Sequence, residues 1–342
     1  MKNPRVISAE RDKTEKIFLL LCFAALIISA VLGVCMGSVK ISFADFFSAL
    51  FLNESTVNSQ IIYSVRIPRV AASMLAGSSL AVSGVIIQSV LENPLAAPSI
   101  IGVNSGAGFF AVLAMAVFPY NMAVIPAAAF LGAVITVMAV YFIAVKNGAS
   151  KITLVLAGVA VGNLLNSGID TITTFFPDSL NGITSFKIGG VMGMTLSKLH
   201  PAWIYIAVGF ATTMLLSHEL DILSLGDRTA KSLGMNVKAV RFILLLSAAL
   251  LAGAAVSFAG LLSFIGLIVP HIARHFVKSG NFRLIPASAL LGAVFVTLCD
   301  LISRTLFAPY EIQLGIIISY IGVPFFIYLI MKKRGGRHGD RA

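Results

Sequence analysis

Charge is what this chain has least of. Only 11% of its 342 residues are Asp, Glu, Lys or Arg, and the 14 acids are outnumbered by 25 bases. The longest polar stretches are the N-terminal tail and the segments around 38–63, 176–200 and 218–238. None is long enough to bury a core of its own, which excludes a large soluble domain and any built-in energy-coupling domain. Cysteine is sparse too. Cys22, Cys35 and Cys299 lie inside apolar runs without metal-ligand spacing, which suits packing better than chemistry.

Catalytic patterns are also missing. The stretch from Gly226 to Ser232 lacks the G-x-x-x-x-G-K-[ST] spacing of a phosphate loop. His271 and His275 stand one helical turn apart, but Ile272 occupies the place where a zinc protease carries Glu. Gly-x-Ser-x-Gly, Ser–Lys and paired-aspartate arrangements are absent. The chain therefore reads as a non-enzyme without cofactor or metal.

What fills it is apolar length. Hydrophobic residues make up 58%, in recurring runs of about twenty residues, the length that crosses a bilayer. Spans are expected near 17–37, 64–91, 98–118, 122–145, 152–175, 201–217, 239–257, 260–277, 284–305 and 313–331. That is an all-α polytopic membrane protein of about ten helices, with the sixth and eighth short or interrupted by Gly and Pro. The first run is longer than a secretory h-region and lacks a small-residue cleavage site after it, so it reads as a retained helix.

Charge then orients the spans. With the N-terminus inside, only Lys40, Arg66, Arg69, Lys187, Lys198 and Arg304 among the bases fall outside. This is the positive-inside pattern, so the net charge of +11 reports topology and no nucleic-acid partner is implied. The expected organisation is a basic cytosolic tail over 1–16, one transmembrane domain over 17–333 with an inner loop at 219–237, and a cytosolic tail over 334–342.

The chain also repeats itself. Leu75-Ala76-Gly77, Gly84 and Pro94 recur as Leu251-Ala252-Gly253, Gly260 and Pro270, every member shifted by 176 positions. Five crossings separate the copies, an odd number, so they face opposite ways across the bilayer. Inverted repeats of this kind build two alternative openings around one path in many transporters. In the fifth span Asn163, Asn166, Ser167, Asp170 and Thr174 share one helix face. An acid deep in lipid costs roughly 2.5–3.5 kcal/mol on insertion scales. The face should therefore line a wet path or meet another helix.

Two further features point to partners. Arg66 and Arg69 bracket Ile67-Pro68 at the outer start of the second span, and Arg304 ends the ninth with Asp300 one turn earlier. Three outer guanidiniums suit either an acidic docking partner or lipid headgroups. The inner loop from Glu219 to Gly234 sets Leu223, Leu225, Ala230 and Leu233 among mixed charges, as in a short amphipathic helix made for a protein groove or the bilayer surface.

Taken together, Arg66-Ile67-Pro68-Arg69, Glu92-Asn93-Pro94-Leu95-Ala96-Ala97-Pro98, Gly102-Val103-Asn104-Ser105-Gly106-Ala107, the run from Gly260 to Arg274 and the segment Asp300 to Arg304 resemble one family. It is the FecCD-type permeases of bacterial ABC importers for iron–siderophore complexes, haem and cobalamin, and the likeness spans essentially 17–333. The resemblance implies ten helices in the bacterial cell membrane, both termini cytoplasmic, and a dimer of permease subunits. It also implies two cytosolic ATPase subunits beneath and an extracytoplasmic substrate-binding protein outside. It assigns docking to Arg66, Arg69 and Arg304, and ATPase coupling to 219–237, including Leu225, Gly226, Arg228, Ala230, Leu233 and Gly234. Asn93 and Leu95 match an inner constriction, and the fifth span, with Asn163, Asn166, Ser167 and Asp170, matches a path-lining helix. Two positions depart from the pattern: Ala97 replaces an acid often found there, and the tryptophan usual before the segment that follows the fifth span is absent. Both leave cargo choice open.

The expected function is thus a transmembrane permease powered by a separate ATPase. An ion-gradient-driven secondary transporter would share the repeat and broken helices but needs a coupling-ion site. Asp170 and Asp300, its only candidates, lie near the outer face.

Overall fold

The computed structural model describes residues 4–37, 42, 56–146, 150–177 and 180–335, and among these there are helices and no strands. The helices are α1 Pro4–Cys35, α2 Val57–Ile61, α3 Ile67–Val90, α4 Val103–Val117, α5 Val124–Lys146, α6 Lys151–Phe175, α7 Leu180–Ile188 and α8 Leu196–Leu215. They continue with α9 Ser217–Leu223, α10 Asp227–Ser232, α11 Val237–Ala259, α12 Ile265–Phe276, α13 Asn281–Thr305 and α14 Leu314–Gly335. A π-turn over Ile62–Arg66 joins α2 to α3, and a 3₁₀ turn over Pro98–Ile101 precedes α4.

Every expected span meets a helix, but the helices are not equal. Among the described residues six are long and apolar enough to cross a bilayer, or seven if α8 and α9, bent by 59°, count as one. The third span is reduced to a 15-residue α4, and the eighth to the 12 residues of α12. At 1.5 Å per residue α12 is roughly 18 Å long, against ~30 Å of hydrocarbon. Its first part, 260–264, is not helical, because Gly260 and Phe264 take left-handed φ values of 69° and 65°. α1 begins at Pro4 and so runs through most of the residues expected to form the tail over 1–16. Residues 336–342 of the C-terminal tail lie outside the described residues.

α3 is the axis of the packing. Nearly all of it is buried, and it contacts α11, α12 and α13. Arg69 meets Asp300, Ser73 meets Thr297 and Gly77 meets Gly292. As the number rises on α3 it falls on α13, so the two are antiparallel. Glycine makes the approach possible: a Cβ on Gly77 would overlap the Gly292 carbonyl, and one on Gly84 the Gly266 carbonyl. α1 lies alongside α13 in the same direction, with Glu15 beside Arg283 at one end and Gly33 beside Arg304 at the other. These contacts define two ends of the bundle: a near end where α1 starts, and a far end where α3 starts.

The sequence repeat survives only in part. Leu251-Ala252-Gly253 lies within α11 as its counterpart lies within α3. Gly84 is mid-helix, whereas Gly260 terminates α11; Pro94 sits in a turn and Pro270 inside α12. The 176-residue shift therefore marks related segments whose breaks fall at different points.

Candidate functional site

At the far end the three arginines of the sequence motif come together, joined by two acids. Arg69 lays its guanidinium on Asp300, with Nε 3.0 and 3.1 Å from the two carboxylate oxygens, and Nη1 donates to Glu311 at 2.9 Å. Arg304 Nε lies 3.5 Å from Asp300, the i,i+4 pair expected from sequence, and its Nη2 donates to the Gly33 carbonyl. Arg66 Nη1 donates to the Met36 carbonyl. All three arginines are buried, at 5%, 8% and 2% exposure for Arg66, Arg69 and Arg304. The three guanidiniums expected to meet an acidic partner or lipid headgroups are largely enclosed by the chain itself. A guanidinium taken out of water must find acceptors, and these find them within the chain. Among the described residues the cluster holds three positive and two negative groups.

The near end carries the turn and the loop singled out by sequence. α3 ends in a tight turn in which the Asn93 amide donates to the Gln88 carbonyl at 3.0 Å and Asn93 Oδ1 accepts from the Leu95 amide at 3.0 Å. Asn93 is exposed and Leu95 half-buried. The loop 219–237 is not one amphipathic helix but two short helices, α9 and α10, turned at Gly226 with φ 100°. The expected apolar side divides accordingly. Leu223 and Ala230 are fully buried and hold the segment to the bundle, whereas Leu225 and Leu233 stand 63% and 61% exposed. Arg228 and Gly234 are exposed beside them. Gly234 has φ 83°, a conformation few side chains accept.

α6 starts at the near end and presents Asn163, Asn166, Ser167, Asp170 and Thr174 outward, every one of them exposed. Its opposite side packs on α4, where Gly162 faces Ser105 and Gly168 faces Phe109. At the far end, the Leu261 amide donates to the Phe186 carbonyl at 2.9 Å, the Gly190 amide to the Ala259 carbonyl at 2.8 Å, and the Gly315 amide to the Gly189 carbonyl at 3.2 Å. These bonds tie the ends of α7 and α11 to the start of α14. Beside them lies a cavity of about 590 Å³ lined by Lys187, Leu261, Ser263, Ser319 and Tyr320.

Several functional-looking residues carry no local signal in the sequence. Glu15 of α1 is buried and accepts from the Lys278 amide at 2.9 Å and from Ser279 and Arg283. Asp221 of α9 accepts from the backbone and side-chain amides of Asn281 at 2.9 and 2.8 Å, capping α13. Arg274 reaches Ser89 on α3 at 3.1 Å. Each joins helices distant in sequence, so only the fold reveals it. No group of three metal-ligating side chains occurs among the described residues.

The profile of the FecCD transport family matches residues 25–332. The chain belongs to this family. The iron(3+)-hydroxamate import system permease protein FhuB of Bacillus subtilis is 39% identical, the alignment covering 98% of this chain and 89% of the relative. The probable heme-iron transport system permease protein IsdF of Staphylococcus aureus is 34% identical over 95% of this chain and 99% of that one. Among solved structures, one described as a metal-chelate type ABC transporter in an inward-facing conformation superposes with a TM-score of 0.82 at 27% identity, covering 93% of this chain and 99% of that chain. This FecCD protein is therefore the multi-pass permease subunit of an ABC importer, and the ion-gradient alternative falls. As a permease of this class it works with ATPase and substrate-binding partners.

Proposed function

We propose that this permease pairs with a second permease subunit and conducts an iron(III)–siderophore complex into a bacterial cytoplasm. The observation that carries the path is the exposed polar face of α6. Two amides, a serine, a threonine and a carboxylate on one side of a membrane helix are poorly suited to lipid. A companion permease facing α6 and the exposed side of α14 encloses that stripe around a wet path. The relative named for iron(3+)-hydroxamate favours a hydroxamate complex as cargo.

The near end is cytoplasmic in this reading, supported by the excess of Lys and Arg there. Leu225 and Leu233 enter a groove of the ATPase, while Arg228 and Gly234 border it and buried Ala230 anchors the segment. Asn93 and Leu95 narrow the path on the same side. At the far end, acidic side chains of a binding protein meet the cluster of Arg66, Arg69 and Arg304. Its surplus positive charge attracts them, and Glu311, the more exposed of its two acids, gives way.

Uptake of radio-iron as an iron(III)–hydroxamate complex by cells lacking their own permeases tests the cargo. Uptake that appears only with this chain, its ATPase and its binding protein is expected; uptake of iron(III)–citrate or haem alone would assign a different cargo. Asp170→Asn is expected to leave ATP-driven uptake within about twofold, because no proton need pass through it. Arg66→Glu is expected to lower binding-protein affinity by roughly a hundredfold in a vesicle-binding assay, as reversal turns an attraction into a repulsion. Unchanged affinity would remove Arg66 from the docking surface.

A further inference from the structure

Four charged side chains meet at the near end, where the turn after α3, the start of α6 and the coupling segment converge. Lys151 Nζ is ion-paired with Glu92 and stands 3.7 Å from Asp227 Oδ1. The same Asp227 oxygen lies 2.6 Å from Arg241 Nη2 on α11. Two acids and two bases balance, and Lys151 is the member that touches both acids.

Local preference does not explain two of these placements. Lys151 is the first residue of α6, capped by Ser150, whose hydroxyl accepts from the Thr153 amide at 3.0 Å. A cation at a helix N-terminus opposes the helix dipole. Glu92 follows the C-terminus of α3, where an anion is equally disfavoured, and its φ of 49° is one for which glycine is the ordinary choice. Left-handed backbone at a non-glycine residue is strained. Each misplaced charge is offset by the other. Glu92 also stands close to the bend of the coupling segment, since a Cβ added to Gly226 would lie 3.7 Å from its Oε1.

We propose that Lys151 is a positioning residue that makes the coupling segment and the turn Glu92–Leu95 move as one body. Asp227 opens α10, between exposed Leu225 and Leu233, and Glu92 is bonded directly to Asn93. A displacement of α10 therefore reaches the turn through one ammonium group, and reaches α6 because that group is rooted in its first residue. Arg241 ties Asp227 to α11, so the node joins four elements. The proposal rests on the reading of 219–237 as the ATPase contact.

The test needs no cargo. In the assembled permease–ATPase complex, Asn93→Cys offers a thiol at an exposed position, whereas Cys22, Cys35 and Cys299 are buried. With native Lys151, adding ATP is expected to change the rate at which a maleimide labels this thiol by roughly tenfold, a usual size for coupling between sites. Lys151→Met is expected to abolish that response while ATPase co-purification and basal ATP hydrolysis persist. Lys151→Arg should retain it. The double exchange Glu92→Lys with Lys151→Glu should not restore it, because a carboxylate at position 151 repels Asp227 although its pair with position 92 is kept. A full ATP response in Lys151→Met overturns the proposal. So does absence of any response with native Lys151, or joint loss of assembly and hydrolysis in Lys151→Met. Leu225→Asp with Leu233→Asp checks the underlying reading separately: it should release the ATPase, and if the ATPase stays bound, that reading fails and the proposal with it.

Discussion

Solubilised Asp300→Ala permease is expected to lose about 3–5 kcal/mol of stability, the cost of stranding a buried charge. Asp300 receives Arg69 through both carboxylate oxygens and lies 3.5 Å from Arg304, and its side chain is 1% exposed. Removing it takes the shared carboxylate away from two buried guanidiniums. Glu311→Gln is the comparison, because its side chain is 26% exposed and its charge is partly solvated. That change should cost about 1 kcal/mol or less. Thermal unfolding in detergent, followed by intrinsic fluorescence or a buried-thiol dye, separates the two. Equal losses would mean that burial of Asp300 adds nothing to its importance.

Gly84→Val is expected to prevent accumulation of folded permease altogether. The new Cβ would overlap the backbone carbonyl of Gly266, and a backbone atom within a packed helix has nowhere to retreat. Overpacking a core ordinarily costs about 1–3 kcal/mol, and an unyielding neighbour raises that. Gly253 belongs to the repeated triplet and looks as indispensable in sequence. Yet a Cβ there meets the Ala133 methyl at 3.1 Å and Phe130 only at ordinary contact distance, so Gly253→Ala should fold with a shift of a few tenths of an ångström. Membrane abundance and size-exclusion profiles of both variants test the contrast. Poor folding of Gly253→Ala with good folding of Gly84→Val would mean that the α11 contact, and not the α3 contact, is the tighter of the two.

Much of this architecture was open to reading from residue order alone. Long apolar runs announce α1, α5 and α11, because about twenty hydrophobic residues have few other uses. The pairing of Asp300 with Arg304 follows from one helical turn, and the outward stripe of α6 from its spacing. What escaped depends on distance along the chain. Arg69 and Glu311 are 242 residues apart, so nothing near either one shows that the arginine is enclosed. Leu223, Leu225, Ala230 and Leu233 look alike as apolar residues in a polar loop. The bend at Gly226 sends Leu223 and Ala230 inward and leaves Leu225 and Leu233 in the open. The charged node around Lys151 was hidden for the same reason, since its four members come from four elements.

The uncovered stripe of α6 also bears on how the protein must be made. α6 is the least apolar of the six long helices, and it shows Asn163, Asn166 and Asp170 to its surroundings. On the proposed pairing, a newly inserted copy holds these groups against lipid until its companion arrives, a placement that membrane insertion penalises. Under that proposal, synthesis matched to the companion subunit, whether the same gene product or another, should raise the yield of this protein above that of the chain made alone.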